Sequence, residues 1–126
     1  MEDIVKALKS VRDVYVSFPK RLKLAEEELS KINQEIQDIL HVLELAKFNA
    51  SEGYKYARDI KELRLERRKL KDEIELLEKI QEFTAYPKAS EKVINKTIGE
   101  INKVQTKLNN RFYTMRVRKD LQEMIK

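Results

Sequence analysis

Four basic side chains at three- and four-residue intervals carry the clearest chemical signal in the sequence. We call this group the basic ladder: Arg64, Arg67, Arg68 and Lys71. Such intervals place side chains on one side of an α-helix, and guanidinium forks match phosphate oxygens. The basic ladder therefore predicts a site for phosphate or another anionic group. The alternative is a set of salt bridges between subunits, with the arginine stems covering apolar surface.

Residues upstream of the basic ladder are candidates for the same ligand site. They are His41, Glu44, Asn49 and Tyr54. Tyr54, with Tyr56 nearby, is placed to stack on a base if the anion is a nucleotide. Downstream, Asp72 follows the ladder directly and is predicted to pair with Arg68.

The single histidine, His41, lies three residues before Glu44 and three after Asp38. This spacing on a helix suits a metal ion or a bound proton. Two protein ligands are too few for a metal site without a second motif from elsewhere in the chain. A histidine bonded to a helical neighbour is the favoured interpretation, and we predict no metal.

A second basic zone near the C-terminus combines basic and aromatic residues, as nucleic-acid surfaces do. It comprises Arg111, Tyr113, Arg116, Arg118 and Lys119. An alternative function is therefore nucleic-acid binding through both basic zones. The neighbouring Phe112 falls at heptad spacing, which is more typical of a core residue.

Catalytic motifs are scarce, and we predict a protein that is not an enzyme and uses no cofactor. The sequence has no Gly-rich phosphate loop and no HExxH motif. Acidic runs near Glu26 and Asp72 are of the kind that hold magnesium in helical pyrophosphohydrolases. They alternate with lysines opposite the apolar positions, which is typical of a solvated coiled-coil flank.

Composition points to long helices with few connections. Only two Gly and two Pro occur in 126 residues, and 39% of the residues are charged. No cysteine is present, which excludes a disulfide framework. No secretory segment or apolar run long enough for a membrane span is visible, so we expect a cytoplasmic protein without a membrane partner.

Apolar periodicity predicts an all-α fold of three helices in one domain, residues 1–126. The helices are expected at about 2–16, 20–82 and 90–124. The first should end at Ser17, Phe18 and Pro19, because proline disfavours helix at the preceding residue. Ser90 is the predicted N-cap of the last helix. That helix should pack back antiparallel on the long one.

The long middle helix depends on a heptad phase that is unbroken from Leu22 to Ile60. Small residues, from Ala46 to Ala57, occupy this stripe where a close helix crossing would fit. The alternative is a turn at Asn49–Gly53, since Asn, Ser and Gly are turn residues. That alternative would give two antiparallel helices instead of one.

Residues 38–77 resemble a group of small, helical, mostly uncharacterised proteins from phages and prophages of Gram-positive bacteria. The resemblance is carried by His41 and Glu44, by Asn49, Ala50, Gly53, Tyr54 and Lys55, and by the basic ladder with Asp72. It implies a phage origin, and hence the cytoplasm of a host cell. Small phage proteins of this size often counter host defence by blocking a host protein or sequestering a nucleotide signal.

The leading prediction is a non-enzymatic, phage-type binding protein that engages an anionic ligand or a host protein through the basic ladder. A structural coiled-coil assembly factor is a further alternative. Thin helical hairpins expose much apolar surface. We therefore expect a homo-oligomer, most simply a dimer.

Overall fold

The computed structural model describes residues 1–125, and that part of the chain is helical throughout its regular elements. Helix α1 (Glu2–Arg12) leads through a π turn (Asp13–Ser17) into α2 (Phe18–Leu45). Helix α3 (Ala50–Thr84) runs antiparallel to α2, and α4 (Glu91–Asn109) packs back on α3. A 3₁₀ helix (Lys119–Met124) follows. The all-α prediction is confirmed.

The predicted continuous helix over 20–82 is wrong, because the chain turns at 46–49. Asn49 caps α3: its side-chain oxygen accepts a 2.9 Å hydrogen bond from the Glu52 backbone N–H. The Phe48 ring then packs edge-on against Tyr56, with ring centroids 6.0 Å apart. The alternative, a turn at Asn49–Gly53, was correct in kind, but the turn begins at Ala46 and ends at the N-cap Asn49.

Gly53 lies in the first turn of α3, where it contacts Phe48 of the 46–49 turn and does not mark a helix crossing. A Cβ atom at Gly53 would lie 3.2 Å from two ring carbons of Phe48. Glycine therefore lets the phenyl ring fold over the first turn of α3. Ala46, Ala50 and Ala57, predicted to mark a close helix crossing, are all exposed.

The predicted break at Ser17, Phe18 and Pro19 is also wrong, since helical structure continues through it. The Phe18 N–H bonds to the Asp13 carbonyl, one residue further back than in an α-helix. Pro19 has no N–H to donate and its ring crowds the carbonyl four residues back. A π turn at this point absorbs that defect.

The core lies at the end of the hairpin away from the turn. Leu22 and Ala25 of α2 pack against Ile74 and Leu77 of α3. Partly buried Phe18, Leu29 and Leu70 surround this cluster. The first half of α3 has no buried residue, so its packing against α2 is looser than that of the second half.

Helix α4 begins as predicted and ends early. The Ser90 hydroxyl accepts from the Val93 N–H at 3.3 Å, which confirms the N-cap. The helix predicted to reach 124 stops at Asn109. Beyond it, Gln122 bonds to the backbone of Met115 and Tyr113 and holds a non-helical bend.

Candidate anion-binding site

The basic ladder lies on α3 just upstream of the hairpin core. Arg64, Arg68 and Lys71 are exposed and share one side of the helix, as predicted. None of the four ladder residues forms an ion pair with a carboxylate in residues 1–125. Within one chain, the ladder therefore offers its positive charge to solvent.

Arg67 differs from the other ladder residues because it turns toward the seam between α2 and α3. It follows Leu63 and precedes Leu70 on that stripe, and all three are half-buried. Its Nε atom is buried and has no hydrogen-bond partner among the described residues. Leaving a buried donor unsatisfied costs about 1–3 kcal/mol. An acceptor that reaches this atom would recover that cost.

Three carboxylates follow the ladder directly, and each pairs with a cation from α2, from α4 or from the segment just after α4. We call them the acidic triad: Asp72, Glu73 and Glu75. Glu73 pairs with Arg21 of α2, and Glu75 pairs with Lys107 of α4. The acidic triad therefore joins the three helices.

The prediction that Asp72 pairs with Arg68 is wrong. Asp72 accepts two hydrogen bonds from Arg111, at 2.7 and 3.3 Å. The two terminal nitrogens of the Arg111 guanidinium meet the two carboxylate oxygens of Asp72, which is a strong, charge-assisted arrangement. Arg68 is thereby left without an acidic partner in the described chain.

Helix α4 covers only the second half of α3. Near the end of α4, Lys107 pairs with Glu75, and Arg111, just beyond the helix, pairs with Asp72. The basic ladder ends one residue before Asp72, on the part of α3 that α4 does not reach. The end of α4 thus leaves the ladder open to solvent.

The remaining predicted ligand residues lie at the hairpin turn and do not join the ladder. His41 and Glu44 are exposed near the end of α2, and Tyr54 is 71% exposed near the start of α3. Fifteen residues separate Asn49 from Arg64, which is about 22 Å at 1.5 Å per residue. The predicted site therefore divides into two groups.

Asn49 has a local structural role in this turn, because its side chain caps α3. His41 belongs to no metal-binding group in residues 1–125, where no cluster of three or more potential ligands was found. The predicted ligand residues near the hairpin turn are therefore too far from the ladder to bind the same small anion.

The C-terminal basic zone is partly committed to contacts within the chain. Arg111 is held by Asp72, and Arg118 makes two hydrogen bonds to Asp120 at 2.9 and 2.7 Å. The hydrogen bond from Arg118 lowers the pKa of Asp120 because it favours the charged carboxylate. Tyr113, Arg116 and Lys119 are exposed.

Two shallow grooves of about 580 and 410 Å³ flank the hairpin, and neither includes a ladder residue. The larger is lined by Glu26, Asp38 and Glu78 together with uncharged side chains. Its carboxylates would repel an anion. The ladder is therefore an open helix face and not a walled pocket.

Sequence reasoning missed the cations that occupy the acidic triad, namely Arg21 and Lys107. Their partners lie 52 and 32 residues away in the chain, so no local spacing shows the pairing. The turn did carry a local signal. Asn49 followed by Glu52 matches an N-cap with an acidic residue three positions on.

Comparison with family models, curated proteins and solved structures found no match for this chain. The resemblance to phage proteins therefore stays a prediction. No helix within residues 1–125 is both long enough and apolar enough to span a membrane.

Proposed function

We propose that this protein is a non-enzymatic binding protein whose basic ladder engages an anionic ligand. One observation carries the proposal: the ladder cations have no carboxylate partner within residues 1–125, while every carboxylate of the acidic triad, immediately downstream, is paired. Cations that served only to join helices would be expected to contact carboxylates, as Arg21, Lys107 and Arg111 do.

The orphaned Nε of Arg67 supports the same proposal. Arginine at a half-buried seam position is unfavourable unless an anion or carboxylate meets it. Arg64 and Lys71 lie one turn away on either side, at three and four residues. An anion bound beside Arg67 would be within reach of both.

The biological setting that we propose follows from the phage resemblance. In that setting the ligand is a host component, and its capture counters host defence in the host cytoplasm. The ligand-binding claim does not depend on this setting, because it rests on the charges of α3.

The test compares the wild-type protein with two variants of equal charge change. The first is Arg64→Gln/Arg68→Gln/Lys71→Gln. The control is Lys20→Gln/Lys23→Gln/Lys92→Gln, which removes three exposed cations outside the ladder. Native mass spectrometry and fluorescence titration would use three probes: tripolyphosphate, ATP and a 20-nucleotide DNA.

We expect at least one probe to bind the wild type and the control, with affinity at least tenfold lower for the ladder variant. Failure of all three probes at about 50 mM salt would refute the proposal, since screening of charge is weak there. Equal weakening in both triple variants would show that net charge alone, and not the ladder, determines binding.

A second proposal concerns self-association, and α1 supports it. Helix α1 has no buried residue and packs against neither α3 nor α4. Ile4, Leu8 and Val11 form an apolar stripe along it, and they are 57%, 65% and 53% exposed. We propose that a second copy of the chain covers this stripe.

Light scattering should give a mass above one chain, and Leu8→Glu should return it to one chain. A single-chain mass for the wild type would refute self-association.

A further inference from the structure

The basic ladder is part of a longer row of cations on α3. Arg58 and Lys61 precede Arg64 at three-residue steps, and Arg68 and Lys71 follow it. We call these five residues the basic face; all are exposed. At about 100° per residue they fall within roughly 140° of the helix circumference. Arg67 lies beside this face, toward the α2–α3 seam.

The basic face carries no acid. Asp59 and Glu66 occur in the same stretch but fall on the opposite side of the helix, and Glu62 lies one turn after Arg58, about 40° outside the sector that the five cations occupy. The row runs from Arg58 to Lys71, which is about 20 Å along the axis at 1.5 Å per residue. It ends at Asp72, where the acidic triad begins and α4 covers the helix. The basic face is therefore a single straight row of positive charge that ends at Asp72.

A linear charge distribution favours a linear ligand. No ladder residue lines either of the two grooves beside the hairpin, and on an open helix face a compact anion would meet only two or three neighbouring side chains. A length of about 20 Å corresponds to roughly six phosphates of one nucleic-acid strand at 3.4 Å per phosphate. Only an extended polyanion would contact all five cations together.

The same face is a poor docking surface for a protein. Leu65, at 54% exposure, is the one large apolar side chain that it presents between Arg58 and Lys71. Ile60, Leu63 and Leu70 are half-buried on the seam stripe. Protein interfaces have a fully buried centre that is rich in apolar and aromatic groups, whereas contacts to phosphates do not require one.

We infer that the basic face of α3 binds the phosphate backbone of a nucleic acid, without reading its base sequence. This inference rests on the proposed function and specifies its ligand. Tyr54, 71% exposed and one turn before Arg58, extends the face with a ring that can stack on an unpaired base. Arg111, held at the far end by Asp72, links the face to the second basic zone.

The experiment is fluorescence anisotropy on the full chain with a dye-labelled 20-base-pair DNA duplex and a dye-labelled 20-nucleotide single strand. Tripolyphosphate and ATP serve as unlabelled competitors. Binding is measured from about 50 to 200 mM salt. For five phosphate contacts, the logarithm of the association constant should fall against the logarithm of salt concentration with a slope of about −4.5 for the duplex or −3.5 for the single strand.

The Arg64→Gln/Arg68→Gln/Lys71→Gln variant should reduce the magnitude of that slope by about two to three, and the Lys20→Gln/Lys23→Gln/Lys92→Gln control should leave it unchanged. The helical signal and melting temperature should be similar in both variants, because the six side chains are exposed and unpaired in residues 1–125.

The outcomes separate the inference from the proposed function. If tripolyphosphate or ATP binds as tightly as the oligonucleotides, the ligand is a compact anion; the inference fails and the proposed function stands. If no probe binds, both fail. A strong preference for one base sequence at equal length would also overturn the inference, because backbone contacts carry no sequence information.

Discussion

The two parts of the continuous helix α3 differ in packing and in the pairing of their charges. Residues 72–84 include the buried Ile74 and Leu77, and the acidic triad pairs with cations of α2 and of α4 and the segment after it. Residues 58–71 have no buried side chain, and their exposed cations have no carboxylate partner within residues 1–125. The downstream half is built to join helices, and the upstream half keeps its charge available.

The largest expected effect tests the packing side of this comparison. Leu77→Ala should lower the free energy of unfolding by about 3 kcal/mol, because Leu77 is 6% exposed in the core. The matched change upstream, Leu65→Ala, should cost no more than about 0.5 kcal/mol, since Leu65 is 54% exposed. Urea unfolding followed by circular dichroism measures both. Similar losses would show that the upstream half is packed after all.

A smaller effect is expected at the cap of the upstream half. Asn49→Ala should lower the free energy of unfolding by about 1 kcal/mol, because the Glu52 N–H loses its acceptor. Asn49→Ser, which keeps a capping oxygen, should retain most of the stability. Anion binding should be unaffected in both, since Asn49 lies far along α3 from the ladder. A loss of binding in Asn49→Ala at unchanged stability would restore the predicted ligand role.

Arg67→Leu should stabilise the free protein by up to about 1 kcal/mol. The change removes the unsatisfied buried Nε and adds apolar area to the seam. Thermal melting should rise by a few degrees, while anion binding weakens. Arg64→Leu is the control: its exposed site predicts weaker binding without stabilisation. A lower melting temperature for Arg67→Leu would show that Arg67 already has a favourable partner.

The smallest effect on stability should come from Asp72→Asn. Its pair with Arg111 is partly solvent-exposed, with side chains 30% and 35% accessible, so its loss should cost about 0.5 kcal/mol. The same change releases Arg111 beside the basic face. Affinity for the labelled duplex should then increase several-fold, and the salt slope should steepen by about one. Unchanged affinity would place Arg111 outside the binding surface.

Much of the local structure was predictable because helix signals repeat within a few residues. The residues that follow Ser90 predict it as an N-cap. The three- and four-residue spacing of the ladder predicts that its side chains share one side of a helix. The turn at 46–49 was only the alternative to a continuous helix, because alanine and glycine were counted as seam residues, and these fit a helix, a turn or a crossing equally. The early end of α4 was missed because apolar residues after Asn109 still fall at helical intervals.

The sequence by itself determined the all-α class and the row of cations on α3, since both depend on periodicity along one segment. The tertiary structure alone decided which charges are available. Asp72 meets Arg111 instead of Arg68 because the antiparallel α4 delivers a guanidinium from 39 residues away. The ladder is open because α4 stops opposite Asp72. Such pairings depend on distances across helices, which spacing along the chain does not encode.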